Sequence, residues 1–238
     1  MIKARPASLV SDLRMAAAAK SEVEALVGKI ADKKEGQGAL EALAKLAEAG
    51  KPEAEPFLVA AVPQLLEATG DKSKAIKDAA VLALKALFEK MSPFGIEILM
   101  PAFLTGLGVK AKPPTKEATL NLLTDLAAKA PKTVGHALVI LAMPVAELTC
   151  DIKKEVKEAA VTCMTAICSC TGNKDLEPFL PFVVKAAQSL TNTHECVEKL
   201  AGCIFVQNVE APALAAMLPV LSRGLNDKSE EVKRTCCL

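Results

Sequence analysis

Lysines return in short sets along this chain: Lys72, Lys74 and Lys77; Lys110, Lys112 and Lys116; Lys153, Lys154 and Lys157; then Lys228, Lys233 and Arg234. An ammonium group at such spacing does no bond chemistry by itself, but a row of them meets phosphate oxygens as point charges. The acids in the same windows decide how basic each set is. Residues 71–78 carry a net +1 and 110–117 a net +2, whereas 151–158 and 227–234 sum to zero and 192–199 to −1. Lys72, Lys74, Lys77, Lys110, Lys112, Lys116, Lys153 and Lys154 are therefore the candidate phosphate contacts, with the first two sets the most basic. The competing reading is a solvated edge of mixed charge.

Other chemistry has little to stand on. All eight cysteines follow residue 149, at Cys150, Cys163, Cys168, Cys170, Cys196, Cys203, Cys236 and Cys237. Cys163, Cys168 and Cys170 are close in sequence, but residues two apart on a helix point about 200° apart, and no C-x-x-C or neighbouring histidine completes four ligands. These thiols read as small apolar packing residues in a reducing compartment. His136 and His194 are the only histidines, and neither adjoins a nucleophile in sequence. No G-x-x-x-x-G-K-[ST] loop is present to cradle a nucleotide phosphate, and Gly106-x-Gly108 follows no strand. The expectation is a chain that is not an enzyme and holds no metal or cofactor. The terminal Thr-Cys-Cys-Leu lacks the cysteine position of a prenylation box.

The elements that must position the lysines are helices. Half of the 238 residues are apolar, tryptophan and tyrosine are absent, and only seven phenylalanines occur. Alanine, leucine, lysine and glutamate dominate, which favours helix nearly everywhere. The net charge of +1 gives no long-range field towards DNA or an anionic membrane, so a polyanion would have to be met locally. No run approaches the roughly 18 apolar residues of a membrane span. Asp12 and Arg14 interrupt any secretory core at the N-terminus, although its arginine, serine and alanine content is also that of an organelle transit peptide.

Prolines at 63, 101, 144, 181 and 219 fall 38, 43, 37 and 38 residues apart, each near the start of an apolar helical stripe. A period near forty with two helices per copy and no strand signal is the mark of a HEAT or armadillo array. The expected fold is all-α, a right-handed HEAT solenoid of about six antiparallel helix pairs over 21–238, preceded by a helix or tail over 1–20. Ser21 and Glu24 form a capping box that would start the first array helix. Pro63 should kink or restart its helix. Helices are expected over 73–91, 93–107, 115–130, 133–149, 152–170, 175–190, 194–206 and 211–225. A last one starts at Ser229 and stops after about ten residues, as if the chain were cut inside an element.

Three stretches carry a family resemblance: N-K-D-L-E-P-F-L-P-F at 173–182, D-I-K-K-E-V-K-E-A-A-V-T-C-M-T at 151–165, and the run from Ala201 to Arg234 that includes F-V-Q-N-V-E-A-P-A-L and S-R-G-L-N-D. They resemble the N-terminal HEAT domain of translation elongation factor 3, with register held from about Glu53 to Leu238. The resemblance implies a monomeric, cytoplasmic, ribosome-contacting module that meets ribosomal protein and rRNA. It also implies that ATP and Mg belong only to cassettes beyond this stretch, which would drive release of tRNA from the exit site. In looser form the F-V-x-x-V-x-A-P-A-L and S-R-G-L-x-D elements also occur in the translational activator that senses stalled ribosomes, a reading that the fit at 151–182 disfavours. A generic protein-binding array of TOG type is the third reading, though this chain has no tryptophan or tyrosine for an exposed inter-helix aromatic.

Overall fold

The computed structural model describes residues 6–32 and 34–238, with side chains from Leu13 onward except at 33, 93 and 94; the first five residues of the expected N-terminal tail lie outside it. Every regular element among the described residues is helical. In order they are α1 (Pro6–Lys29), α2 (Gly36–Glu48), α3 (Glu55–Ala68), α4 (Lys74–Lys90), α5 (Pro93–Leu107), α6 (Pro113–Lys129), α7 (Pro131–Leu148), α8 (Lys154–Cys168), α9 (Leu180–Gln188), α10 (Thr193–Ala201), α11 (Ala211–Leu225) and α12 (Glu230–Cys236). Single tight turns of helix at Ser169–Thr171, Glu177–Phe179 and Leu190–Asn192 interrupt the later part. The fold is thus the all-α repeat of HEAT and armadillo type.

Spacing explains the helices. In α4 the residues Ile76, Ala79, Ala80, Ala83, Leu84 and Leu87 recur at three and four and are all buried, while Lys74 and Lys85 stay in solvent. Small alanines along this stripe let helices approach closely. Proline sits inside α3, α5, α7 and α11, and α3 runs through Pro63 as one helix, so the expected restart does not occur. Pro63 itself lies on an exposed side of the helix.

The chain divides into two compact units, residues 1–106 and 107–238. In the first, α2 packs on α4, α3 forms a hairpin with α4, and α1 lies on α2 and α3. Phe103 of α5 is fully buried, its ring 5.7 Å from that of Phe88. Glu55 accepts the backbone N–H of Ser92 at 2.8 Å and so fixes the α4–α5 turn from the start of α3. Ser21 is not a cap: α1 continues through it, because the alanines at 16–19 keep the helix unbroken.

In the second unit α6 packs on α8 and α7 on α8, as a regular array requires, but α7 also packs directly on α11. The proline-bearing helix between them, α9, is only nine residues long and lies against α8, α10 and α11. Its sequence explains the shortening. Pro178 and Pro181 remove two backbone donors within four residues, so the helix expected over 175–190 becomes a turn at Glu177–Phe179 followed by α9. Likewise α10 stops at Ala201 rather than 206, and residues 203–206 are irregular.

Candidate functional site

Three of the helices that follow lysine-bearing turns, α4, α8 and α12, begin in one recurring way. Asp71 Oδ1 accepts the N–H of Ser73 at 2.7 Å, Asp151 Oδ1 that of Lys153 at 2.9 Å, and Asp227 Oδ1 that of Ser229 at 2.9 Å. The acceptor lies two residues before the donor each time, an Asx turn that sets the extended backbone of the cap residue. Ser73, Lys153 and Ser229 consequently share φ near −76 to −81° and ψ near 122–123°. The aspartate of each D-x-[SK] string is therefore a turn former.

This arrangement puts the candidate lysines at helix N-termini. Lys72 immediately precedes the α4 cap and Lys74 and Lys77 lie in its first turns; Lys112 caps α6; Lys153 caps α8 and Lys154 opens it. Lys110 precedes the α6 cap. Lys72, Lys74, Lys110, Lys112, Lys153 and Lys154 are exposed, and Lys77 is half-buried. Cations are unfavourable at the positive end of a helix, by about 0.3–1 kcal/mol each, and an anion placed there is favoured by both the lysines and the orphan N–H groups. Neither α4 nor α6 has an acid in its first turn to offset them.

Lys116 departs from the expectation. Its ammonium lies 3.2 Å from Asp151 Oδ2, with the two side chains only 14% and 16% exposed. It is drawn inward to tie α6 to the turn before α8, and its ammonium is already paired with a carboxylate. The same carboxylate serves the Lys153 N–H through its other oxygen. That backbone hydrogen bond, followed by the Lys116 charge, holds the Asp151 carboxyl below its ordinary range despite partial burial. The zero charge counted over 151–158 is therefore unevenly spent: Asp151 is neutralised from behind, Lys154 lies 3.6 Å from Glu158 in solvent, and Lys153 projects outward.

The eight thiols are free, with no disulfide among them. Cys163 and Cys168 are buried on α8, where burial pushes both up to about 12, and Cys196 rises to about 12 through burial and the Glu195 charge. Cys170 sits in the following tight turn with its sulfur near the carbonyls of Ala166 and Ala127, 3.4 and 3.6 Å away. No group of three or more His, Cys, Asp or Glu among the described residues could hold a metal. His136 is exposed, and His194 lies in the first turn of α10. Among the described residues no helix is long and apolar enough to cross a membrane.

A second constellation was not legible as a site in the sequence. The run N-K-D-L at 173–176 and the run C-I-F-V-Q-N at 203–208 meet in space. Asp175 Oδ2 accepts the N–H groups of Val206 and Gln207 at 2.8 and 2.7 Å, and the Lys174 N–H donates to Gln207 Oε1 at 2.9 Å. Asn173 Nδ2 donates to the Asn208 carbonyl at 3.4 Å while Asn173 Oδ1 accepts the N–H groups of Asp175 and Leu176, 3.0 Å each. Cys203 Sγ closes the set on the Asp175 carbonyl at 3.4 Å. The S-R-G-L string has its own reason. Arg223 donates to the Ala186 and Ala187 carbonyls that end α9, and the Thr149 hydroxyl is 2.8 Å from the latter. A Cβ on Gly224 would collide with the Cys236 sulfur, so glycine is what lets α11 and α12 close. The sequence signal was present only as unusual strings about 33 residues apart.

Packed helix hairpins, with Lys116 of α6 tied to Asp151 before α8 and lysines at the starts of α4, α6 and α8, define a helical-repeat protein. Within that class, the chain belongs to the elongation factor 3 N-terminal HEAT repeat family. The family model described as "EF3 N-terminal HEAT repeat" matches residues 4–164, and one described as "Elongation factor 3/GNC1 HEAT repeat" matches residues 191–238. Elongation factor 3 of Gonapodya prolifera is 36% identical over 180 residues, covering 76% of this chain and 16% of its own length. That of Phytophthora infestans is also 36% identical over 180 residues, with 76% and 17% covered. That of Zygosaccharomyces rouxii is 33% identical over 211 residues, with 88% and 20% covered. The chain spans about a fifth or less of the length of these curated relatives.

Proposed function

We propose that this chain is the ribosome-binding HEAT module of an elongation-factor-3-like translation factor, working in the cytoplasm. In its complete form such a factor would use ATP, bound in cassettes outside this stretch, to promote release of tRNA from the exit site. The family match over residues 4–164 is the observation that carries the reading. The placement of Lys72, Lys74, Lys77, Lys110, Lys112, Lys153 and Lys154 at helix starts supports rRNA phosphate as part of the contact.

The test is co-sedimentation of residues 1–238 with purified ribosomes over a salt series. Each lysine–phosphate contact adds about one unit, or somewhat less, to the slope of log K against log salt. Reversing Lys72, Lys74, Lys110 and Lys112 to glutamate is expected to weaken binding at low salt and flatten that slope by two or more units. Absence of sedimentation by the unmodified chain overturns the ribosome reading; sedimentation indifferent to the four reversals overturns the lysine contacts.

A further inference from the structure

The segment from Gly202 to Glu210 joins α10 to α11, and a connection of that length needs no fixed shape. Here it is fixed from one side by the Asp175 carboxylate, the Lys174 N–H, the Asn173 amide and the Cys203 thiol. A carboxylate that accepts two backbone N–H groups at 2.8 and 2.7 Å makes charge-assisted bonds, about twice as strong as neutral ones.

What the clasp presents is apolar. Cys203 and Phe205 turn inward and are half-buried, while Ile204 and Val206 stand 83% and 85% exposed. The alternation leaves two β-branched side chains, two residues apart, on the exposed side of the loop. Beta-branched residues also lose little side-chain entropy when a partner immobilises them.

We infer that the clasped loop at 202–210 is a protein-docking element whose Ile204 and Val206 enter an apolar recess on a basic protein of the ribosome. This rests on the ribosome-binding reading and assigns to it a contact that uses none of the candidate lysines. The charge around the loop decides against RNA as the occupant. Its clasp and ends carry Asp175, Glu177 and Glu210 against the single cation Lys174, which repels phosphate and attracts a basic protein. Base stacking has no platform either, since the chain has no tryptophan or tyrosine and Phe205 faces inward.

The experiment compares the unmodified chain, an I204S/V206S variant and the four-lysine reversal in co-sedimentation with purified salt-washed ribosomes. A benzophenone amino acid at position 204 then reports by photocrosslinking what the loop touches. Both side chains are exposed, so I204S/V206S leaves the fold intact. Its dissociation constant is expected to rise about tenfold or more, consistent with losing the burial of two aliphatic groups, with the salt slope unchanged. The crosslink is expected on a ribosomal protein. Binding by I204S/V206S equal to that of the unmodified chain overturns the inference while leaving the ribosome reading standing, as does a crosslink to rRNA or none at all. Failure of the unmodified chain to sediment overturns both.

Discussion

Asp151 holds two neighbouring helix hairpins together with one carboxylate, and removing its charge while keeping its shape isolates that function. In Asp151→Asn the amide oxygen can still accept the Lys153 N–H, so the turn survives, but Lys116 is left as a cation about one-seventh exposed with no counter-charge 3.2 Å away. Exposed pairs contribute about 0–1 kcal/mol and removal of one partner of a fully buried pair costs about 3–5 kcal/mol. The partial exposure places this substitution at about 1–2 kcal/mol. That corresponds to a fall of about 2–8 °C in melting temperature for a chain of this size. Asp151→Ala also removes the turn acceptor and adds about 0.5–2 kcal/mol. The pH dependence has a defined sign. The folded carboxyl titrates below the unfolded one, so its contribution is complete above the ordinary carboxylate pKa near 3.9 and disappears as pH falls through the lower folded value. Urea unfolding of the unmodified chain, D151N, K116M and D151N/K116M, at pH 7 and at steps down to pH 3, reads both effects. The pair should show a coupling of about 1 kcal/mol at pH 7, and the gap between the unmodified chain and D151N should close below about pH 4. Strict additivity of the two substitutions at pH 7, or a gap that widens in acid, would refute the tie.

Three further outcomes are expected. Gly135→Ala places a methyl 2.5 Å from the Cys170 carbonyl oxygen, a backbone atom that cannot swing aside, and should cost about 1–3 kcal/mol in urea unfolding, whereas Gly28→Ala in α1 meets nothing within 4 Å and should be neutral or stabilising by up to about 1 kcal/mol. Arg223→Met keeps the aliphatic stem but uncovers the Ala186 and Ala187 carbonyls, and should lower stability by about 1–3 kcal/mol with faster hydrogen exchange at the end of α9. At pH 8 a thiol reagent should label the exposed Cys150 and Cys237 quickly, while Cys163, Cys168 and Cys196, pushed up to about 12 by burial, should react only on unfolding; rapid labelling of those three in the folded chain would contradict their packing.

The amino-acid sequence by itself determined the helices, their period and the class of protein. Those depend on residues three and four apart and on a motif returning every forty, both of which are local or self-similar signals. It also located the lysine sets, because their positions and the acids beside them are read directly from the order of residues, as at 71–78. Helix ends were less legible where prolines crowd: at 175–190 two missing donors outweighed an otherwise helical stripe. Only tertiary structure decided which charges are free. Lys116 looked like its fellows, yet its partner Asp151 is 35 residues away and is met only when α6 packs on α8. The joining of Asp175 to Val206 and Gln207, and of Arg223 to the end of α9, has the same origin. Contacts between adjacent repeats are set by how apolar faces stack, and that stacking brings together residues whose sequence neighbours give no sign of the meeting.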